Sequence, residues 1–273
     1  MNQFRLIIVF ILAVFALLIT GILLHPYNSS LELIVLFALS GGGTAIVYGY
    51  DFAQLKRDGY NDLIANVLRS PLETLFFFLF VVVIAPLSFF YLSSFRINTM
   101  LIICLFGLIY SMPFNYKGKR TKLKHFLFVK NIFIGFSWGA LILVGAGTFE
   151  TNLIKAFFLF ASLQVVAGSM IRDLSDLEKD QKDGVITVPV KHGVRFTVNV
   201  LHVINILSFI PFLFLPLQQA MLAMIPVFLW RLWVIYKVSQ NHLSLLWTQT
   251  FNILTCVIIG IAMAIFKLDL WLN

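Results

Sequence analysis

The residues with the most chemical content in this chain are carboxylates. After a long apolar stretch it reads Arg172-Asp173-Leu174-Ser175-Asp176-Leu177-Glu178-Lys179-Asp180, with aspartates at i, i+3 and i+7. On a helix these positions share one face, so the three side chains repel one another unless a cation sits among them. A merely solvated helix end would more naturally intersperse lysine at i+4. Earlier, Tyr50-Asp51-Phe52-Ala53-Gln54-Leu55-Lys56-Arg57-Asp58 repeats the pattern, with polar groups at the same three positions. The offset between the segments is 122 residues at each position, and a basic residue, Arg57 or Lys179, precedes each last aspartate. Hard oxygen donors suit Mg²⁺, which keeps several waters, uses one or two carboxylates per ion and bridges to phosphate oxygens of a substrate. Two facing segments of this kind hold roughly two or three Mg²⁺ ions around a diphosphate.

The elements that must position these acids are membrane helices. The 273 residues are 60% hydrophobic and only 12% charged, with a mean hydropathy of +0.94. That composition excludes an ordinary soluble domain, and the apolar runs are continuous rather than alternating, which excludes a β-barrel. Spans are expected near Phe4 to Leu24, Leu31 to Tyr50, Leu75 to Leu92, Asn98 to Met112, Phe126 to Gly147, Leu153 to Ile171, Val194 to Leu215, Met221 to Tyr236 and Leu246 to Phe266. The expected fold is therefore an all-α integral membrane bundle of about nine transmembrane helices around a cytoplasm-facing central cavity. The first span is too long for a signal peptide and lacks a small-residue cleavage site, so it reads as a retained helix.

Charge orients the bundle. With nine spans and the N-terminus on side one, seventeen of the 20 Lys and Arg fall on that side, leaving Arg96, Lys155 and Lys267 opposite. Arg231 and Lys237 are counted at the cytoplasmic end of the eighth span. Side one is then cytoplasmic by the positive-inside rule. This rule also accounts for the net charge of +8 without nucleic acid. Nine of the twelve acids gather on the same side, although insertion does not demand it. The single domain, residues 1–273, reads as two pseudo-repeated halves, roughly 1–125 and 126–273, each presenting one acidic segment to a shared cavity.

These residues resemble the UbiA superfamily of intramembrane prenyltransferases. The second acidic motif of that family matches Asp173, Asp176 and Asp180, followed by Gly184, Thr187 and Pro189. The first matches Asp51 and Asp58, with Tyr50 in place of asparagine and Gln54 in place of the middle aspartate. Asn66 through Leu72 is similar to the family's Asn-Arg-Pro-Leu run, and Tyr110 through Lys119, followed by Asn131, resembles its loop after the fourth helix.

The resemblance implies transfer of an isoprenoid group from a prenyl diphosphate to an unidentified acceptor. Mg²⁺ held by Asp51, Asp58, Asp173, Asp176 and Asp180 would neutralise the departing diphosphate. Gln54, Arg69, Lys119, Asn131, Lys182 and Lys191 are the further substrate-binding candidates. Ionisation leaves an allylic carbocation that needs a dry, aromatic-lined pocket. Gln54 supplies an oxygen but no charge, so Gln54→Asp is expected to lower the Mg²⁺ concentration for half-maximal activity. Two alternatives accompany this reading: a cyclase of the same fold, in which the cation is captured by its own chain, and a secondary transporter, which would instead place ionisable groups near the bilayer midplane. The implied partners are a prenyl diphosphate, the acceptor and membrane lipids, and the implied location is a bacterial or archaeal cell membrane.

The remaining candidates read as structural. Gly41-Gly42-Gly43 lacks the lysine of a phosphate loop and suits close helix packing. Cys104 and Cys256 sit in apolar runs, and no histidine pairs at zinc spacing.

Overall fold

The computed structural model describes residues 3–24, 29–55, 79–116, 119–122, 126–182, 185–215, 218–240 and 245–272. The long helices are α1 (Gln3–Leu24), α2 (Ser30–Leu55), α4 (Ser94–Ser111), α5 (Val129–Ala146), α6 (Asn152–Ser175), α8 (Val188–Leu207), α10 (Gln218–Ser239) and α11 (Leu245–Leu272). Shorter pieces complete them: a π turn, Phe80–Ile84, leads into α3 (Ala85–Tyr91), α7 (Leu177–Lys182) follows α6, and α9 (Ile210–Leu213) follows α8. Among the described residues five helices are long and apolar enough to cross a membrane, and four shorter apolar stretches lie at other expected spans. The chain is an all-helical integral membrane bundle, with one addition that the sequence reading lacked. Pro113–Tyr116 (β1) and Lys119–Lys122 (β2) form an antiparallel hairpin after α4, pairing Phe114 with Thr121 and Tyr116 with Lys119.

Helix α5 is central, packed between α1 and α6. In lipid there is little hydrophobic drive between helices, so close approach depends on small residues. A Cβ at Gly139 would collide with Ser162 of α6, and one at Gly145 with the Leu18 carbonyl of α1. The triple glycine of α2 works similarly: a Cβ at Gly42 would strike the Phe80 ring, and one at Gly43 would lie 2.8 Å from Met100.

Local chemistry sets the helix ends. The Thr151 hydroxyl accepts from Ile154 N at 3.2 Å and caps α6, and Gly147 closes α5 at φ +73°. The seventh expected span is broken at both ends. Gly193 at φ +83° separates Val188–His192 from the regular part of α8, which begins at Val194 as expected. Pro211 restarts the chain as the short α9 beyond Ser208 and Phe209.

At one end of the bundle Arg96 ties three helices together. Its guanidinium pairs with Glu32 of α2 and donates to the Val144 carbonyl at 3.1 Å and the Gly145 carbonyl at 3.2 Å, at the end of α5. Both charged residues are buried.

Candidate active site

Helix α6 starts at the Arg96 end and delivers its acids to the opposite end. Asp173 is 1% exposed and its carboxylate is fully engaged. One oxygen pairs with Lys130 Nζ, and the other accepts from Asn131 Nδ2 at 3.0 Å. The same amide donates to Ser169 Oγ at 3.0 Å, so the start of α5 is fastened to the last turns of α6.

The shared helical face expected for the three aspartates is interrupted. Helix α6 stops at Ser175, and Asp176 is its C-cap at φ −94°, ψ 5°. Asp180 belongs to the separate turn α7, although backbone bonds from Asp176 N to Arg172 O (3.0 Å) and from Asp180 N to Asp176 O (2.8 Å) keep the two pieces in line. The like charges remain close enough for Asp173 and Asp176 both to act on Asp180. Arg172 offsets part of this repulsion, its Nε 3.5 Å from Asp176 Oδ2.

Asp180 is the acid least provided for. Its Oδ2 is buried with no hydrogen-bond partner among the described residues, and so is Thr187 Oγ1. Burial pushes the Asp180 carboxyl above the usual range, Lys130 opposes this, and Asp173 and Asp176 push it up again. Thr187 is near enough to hold the carboxyl down slightly without a well-aligned hydrogen bond. Orphaned carboxylate and hydroxyl oxygens beside further carboxylates are a hard-oxygen donor set. Among the described residues, no three His, Cys, Asp or Glu converge closely enough to enclose a metal by themselves. Water and substrate oxygens complete a Mg²⁺ shell in such sites.

Beneath the acids lies a cavity of about 230 Å³, walled by α1, α2, α4, α5, α6, α10 and α11. Ser169 and Arg172 lead into it from the acid side, and Trp138, Phe133 and Tyr110 contribute aromatic surface. Cys104 and Cys256 also line it, and the remainder is mostly apolar.

Of the residues expected from sequence, Asn131 and Asp173 are in direct contact, and Asp176 and Asp180 follow on the adjoining turns. Asp51 and Gln54 lie in the last turns of α2, which begins at the Arg96 end and runs toward the acid end. Asp58 and Arg69 lie outside the described residues. Lys119 opens β2, and Lys182 and Lys191 are exposed. Two basic residues had been counted only toward topology. Lys130 pairs with Asp173, and Arg231 is not at a helix end: it is 1% exposed, within α10, and borders the cavity. Polar residues inside apolar runs (Gln164, Asn205, Arg231 and Asn252) were the available signal.

Comparison with known proteins agrees with this architecture. A family model described as the UbiA prenyltransferase family matches residues 63–255, a range that includes the second acidic segment but not the first. The chain belongs to the UbiA prenyltransferase family, as its motifs suggested. Among curated relatives, a digeranylgeranylglyceryl phosphate synthase of Methanosarcina mazei is 28% identical over 62% of this chain and 56% of its own length. One of the same description from Methanosphaera stadtmanae is 23% identical over 72% of this chain and 71% of its own. The chain thus matches little more than half of the first relative. Among solved structures, a UbiA homologue from Archaeoglobus fulgidus bound to DMAPP and Mg²⁺ superposes with a TM-score of 0.65 at 14% identity, covering 97% of this chain and 100% of that one. A structure of digeranylgeranylglyceryl phosphate synthase in membranes gives 0.63 at 16% identity, over 98% and 100%. At these identities the superpositions establish the fold.

Proposed function

We propose that this protein is a Mg²⁺-dependent intramembrane prenyltransferase that moves an isoprenoid group from a prenyl diphosphate to an acceptor of the glycerophosphate type. The observation that carries the reading is the run of Asp173, Asp176 and Asp180, with the orphaned Oδ2 of Asp180, which continues directly from Arg172 in the lining of a mostly apolar cavity with aromatic surface. The Archaeoglobus fulgidus homologue, with DMAPP and Mg²⁺ bound, supports the donor class, and the names of the curated relatives support the acceptor class.

Each half of the chain supplies one acidic segment, Asp51 with Asp58 and Asp173 with Asp176 and Asp180. Mg²⁺ held there would act as a Lewis acid on the diphosphate leaving group. Asp173 holds Lys130 in readiness, and Lys130, Arg172, Arg69 and Lys119 provide cations for phosphate oxygens. Asn131 keeps Asp173 oriented by hydrogen bonds on both sides of its amide nitrogen. The isoprenoid chain occupies the apolar cavity, where water is excluded and aromatic faces favour an allylic cation. The acidic end faces the cytoplasm, following the basic-residue bias.

The test is diphosphate release by the purified protein in lipid, with prenyl diphosphates of several lengths and a native lipid extract, with Mg²⁺ present or chelated. Release that requires Mg²⁺ and is lost in an Asp173→Ala, Asp180→Ala double variant supports the reading. Release indifferent to both overturns it. Product mass separates transfer from cyclisation.

A further inference from the structure

Arg231 is the largest fully buried side chain among the described residues, and its hydrogen-bond partners there are neutral. Nε donates to Gln164 Oε1 at 3.0 Å, Nη2 to the Gln164 carbonyl at 2.9 Å and Nη1 to Asn252 Oδ1 at 2.9 Å. A guanidinium has five N–H groups, so three are met among the described residues. The partners are themselves fixed. The Gln164 amide donates to Asn205 Oδ1 at 2.8 Å and to Ser208 Oγ at 3.0 Å, which orients its oxygen toward Arg231. Asn252 Nδ2 donates to the Gly168 carbonyl at 2.7 Å, which does the same for its own oxygen. Four elements therefore hold one permanent cation at the wall of a mostly apolar cavity.

An uncompensated charge at this depth is costly and calls for an anion. The donor diphosphate does not supply one. Arg231 contacts α6 between Gln164 and Gly168, five to nine residues before Asp173, which is about 8–13 Å along the helix axis. A diphosphate held at Asp173, Asp176 and Asp180 sends only its hydrocarbon tail in this direction. An allylic cation forming between the acids and Arg231 would also be disfavoured by the guanidinium. A second, anionic molecule seated on Arg231 removes both costs, and the acceptor is the second molecule that the reaction requires.

We propose that Arg231, oriented by Gln164 and Asn252, is a deep anion subsite that binds the acceptor through a phosphate or carboxylate and so selects anionic acceptors. The inference rests on the prenyl-transfer reading above. It adds a ligand-contacting residue from the eighth expected span, far in sequence from either acidic segment.

The test uses the full chain in lipid nanodiscs with geranylgeranyl diphosphate and two acceptor pairs: geranylgeranylglyceryl phosphate against geranylgeranylglycerol, and 4-hydroxybenzoate against its amide. The pairs separate a lipid phosphate from an aromatic carboxylate. The charged member of one pair is expected to be used at least about tenfold better than its neutral counterpart. Arg231→Gln should raise the acceptor KM about tenfold or more and leave the donor KM within about twofold, and Arg231→Lys should recover part of the loss. Equal use of charged and neutral acceptors overturns the proposal. So does an Arg231→Gln variant that lowers the melting temperature and kcat while leaving the acceptor KM unchanged, since that is the signature of a purely structural tie. If Arg231→Gln does not fold, the wild-type preference within each pair still decides. If no donor releases diphosphate, the prenyl-transfer reading fails separately, and melting-temperature shifts of the wild-type protein with each charged and neutral probe decide the anion subsite.

Discussion

Among the described residues two arginines are buried, and they are provided for differently. Arg96 meets a carboxylate, Glu32, and two carbonyls at the end of α5, in a site built from the ends of three helices. Arg231 meets one side-chain amide oxygen from each of Gln164 and Asn252 and one carbonyl, and it borders a cavity. The first site is electrically closed and reads as architecture. The second is a cation held ready, because nothing in a folded membrane protein is served by leaving a desolvated charge without an opposite one unless a ligand brings it. Burial alone does not distinguish the two; the charge of the partners does.

Breaking the closed site should have the largest effect on folding. Glu32→Gln leaves Arg96 buried without its anion and is expected to cost about 3–5 kcal/mol, read as a fall in melting temperature in nanodiscs. Arg231→Gln strips no carboxylate of its partner, so it should cost less, about 1–3 kcal/mol of lost hydrogen bonds. The reverse order would collapse the distinction between the sites. Next comes the acidic end. Asp173→Asn should reduce diphosphate release by about 10²-fold or more while leaving acceptor binding by Arg231 intact, as measured by the probe-induced melting shift.

A glycine beside each arginine sharpens the contrast. At Gly147, φ is +73° and a Cβ would lie 2.8–2.9 Å from the Arg96 guanidinium, so Gly147→Ala should cost about 1–3 kcal/mol of stability with little change in the KM of either substrate. At Gly168 a Cβ would lie 2.9 Å from Asn252 Oδ1, displacing the group that orients Arg231. Gly168→Ala should therefore raise the acceptor KM by several-fold, roughly 3–10, with a smaller loss of stability.

The smallest effect concerns pH and touches neither arginine. The folded protein holds the Asp180 carboxyl above its ordinary range, so it binds that proton more readily than the unfolded chain. Stability without metal should then rise slightly as pH falls through the window just above the normal aspartate range. Over the same window the Mg²⁺ concentration for half-maximal release should increase, because protons and metal compete for Asp180. A Mg²⁺ requirement flat across that window would remove Asp180 from the ligand set.

Much of this was legible in the sequence, and the reasons for the remainder are specific. Continuous apolar runs placed the helices, because in lipid a backbone has few alternatives to a helix. The spacing of Asp173, Asp176 and Asp180 located the acidic end, and Asn131 arrived with the family resemblance. The break at Asp176 was not visible, since i, i+3, i+7 spacing assumes a continuous helix and says nothing about a cap. Lys130 and Arg231 were read as topology signals because a basic residue near a helix end looks the same whether it faces water or a partner. Their partners lie 43 and 67 residues away, and no local pattern encodes such a pairing. The hairpin at Pro113–Lys122 is too short for alternation to distinguish it from a loop.

The pairing of Arg96 with Glu32 also governs how the molecule can move. It joins the beginnings of α2 and α4 to the end of α5, and all three helices run from there toward the end where α6 delivers Asp173. Helices pinned at one extremity pivot there, and the displacement of each grows in proportion to the distance from the pin. At the acid end α5 is itself fastened to α6 through Asn131, Ser169 and Asp173, so a lateral parting that admits a long-chain molecule from the lipid would open between α5 and the far parts of α2 and α4, like a clothes-peg hinged at Arg96.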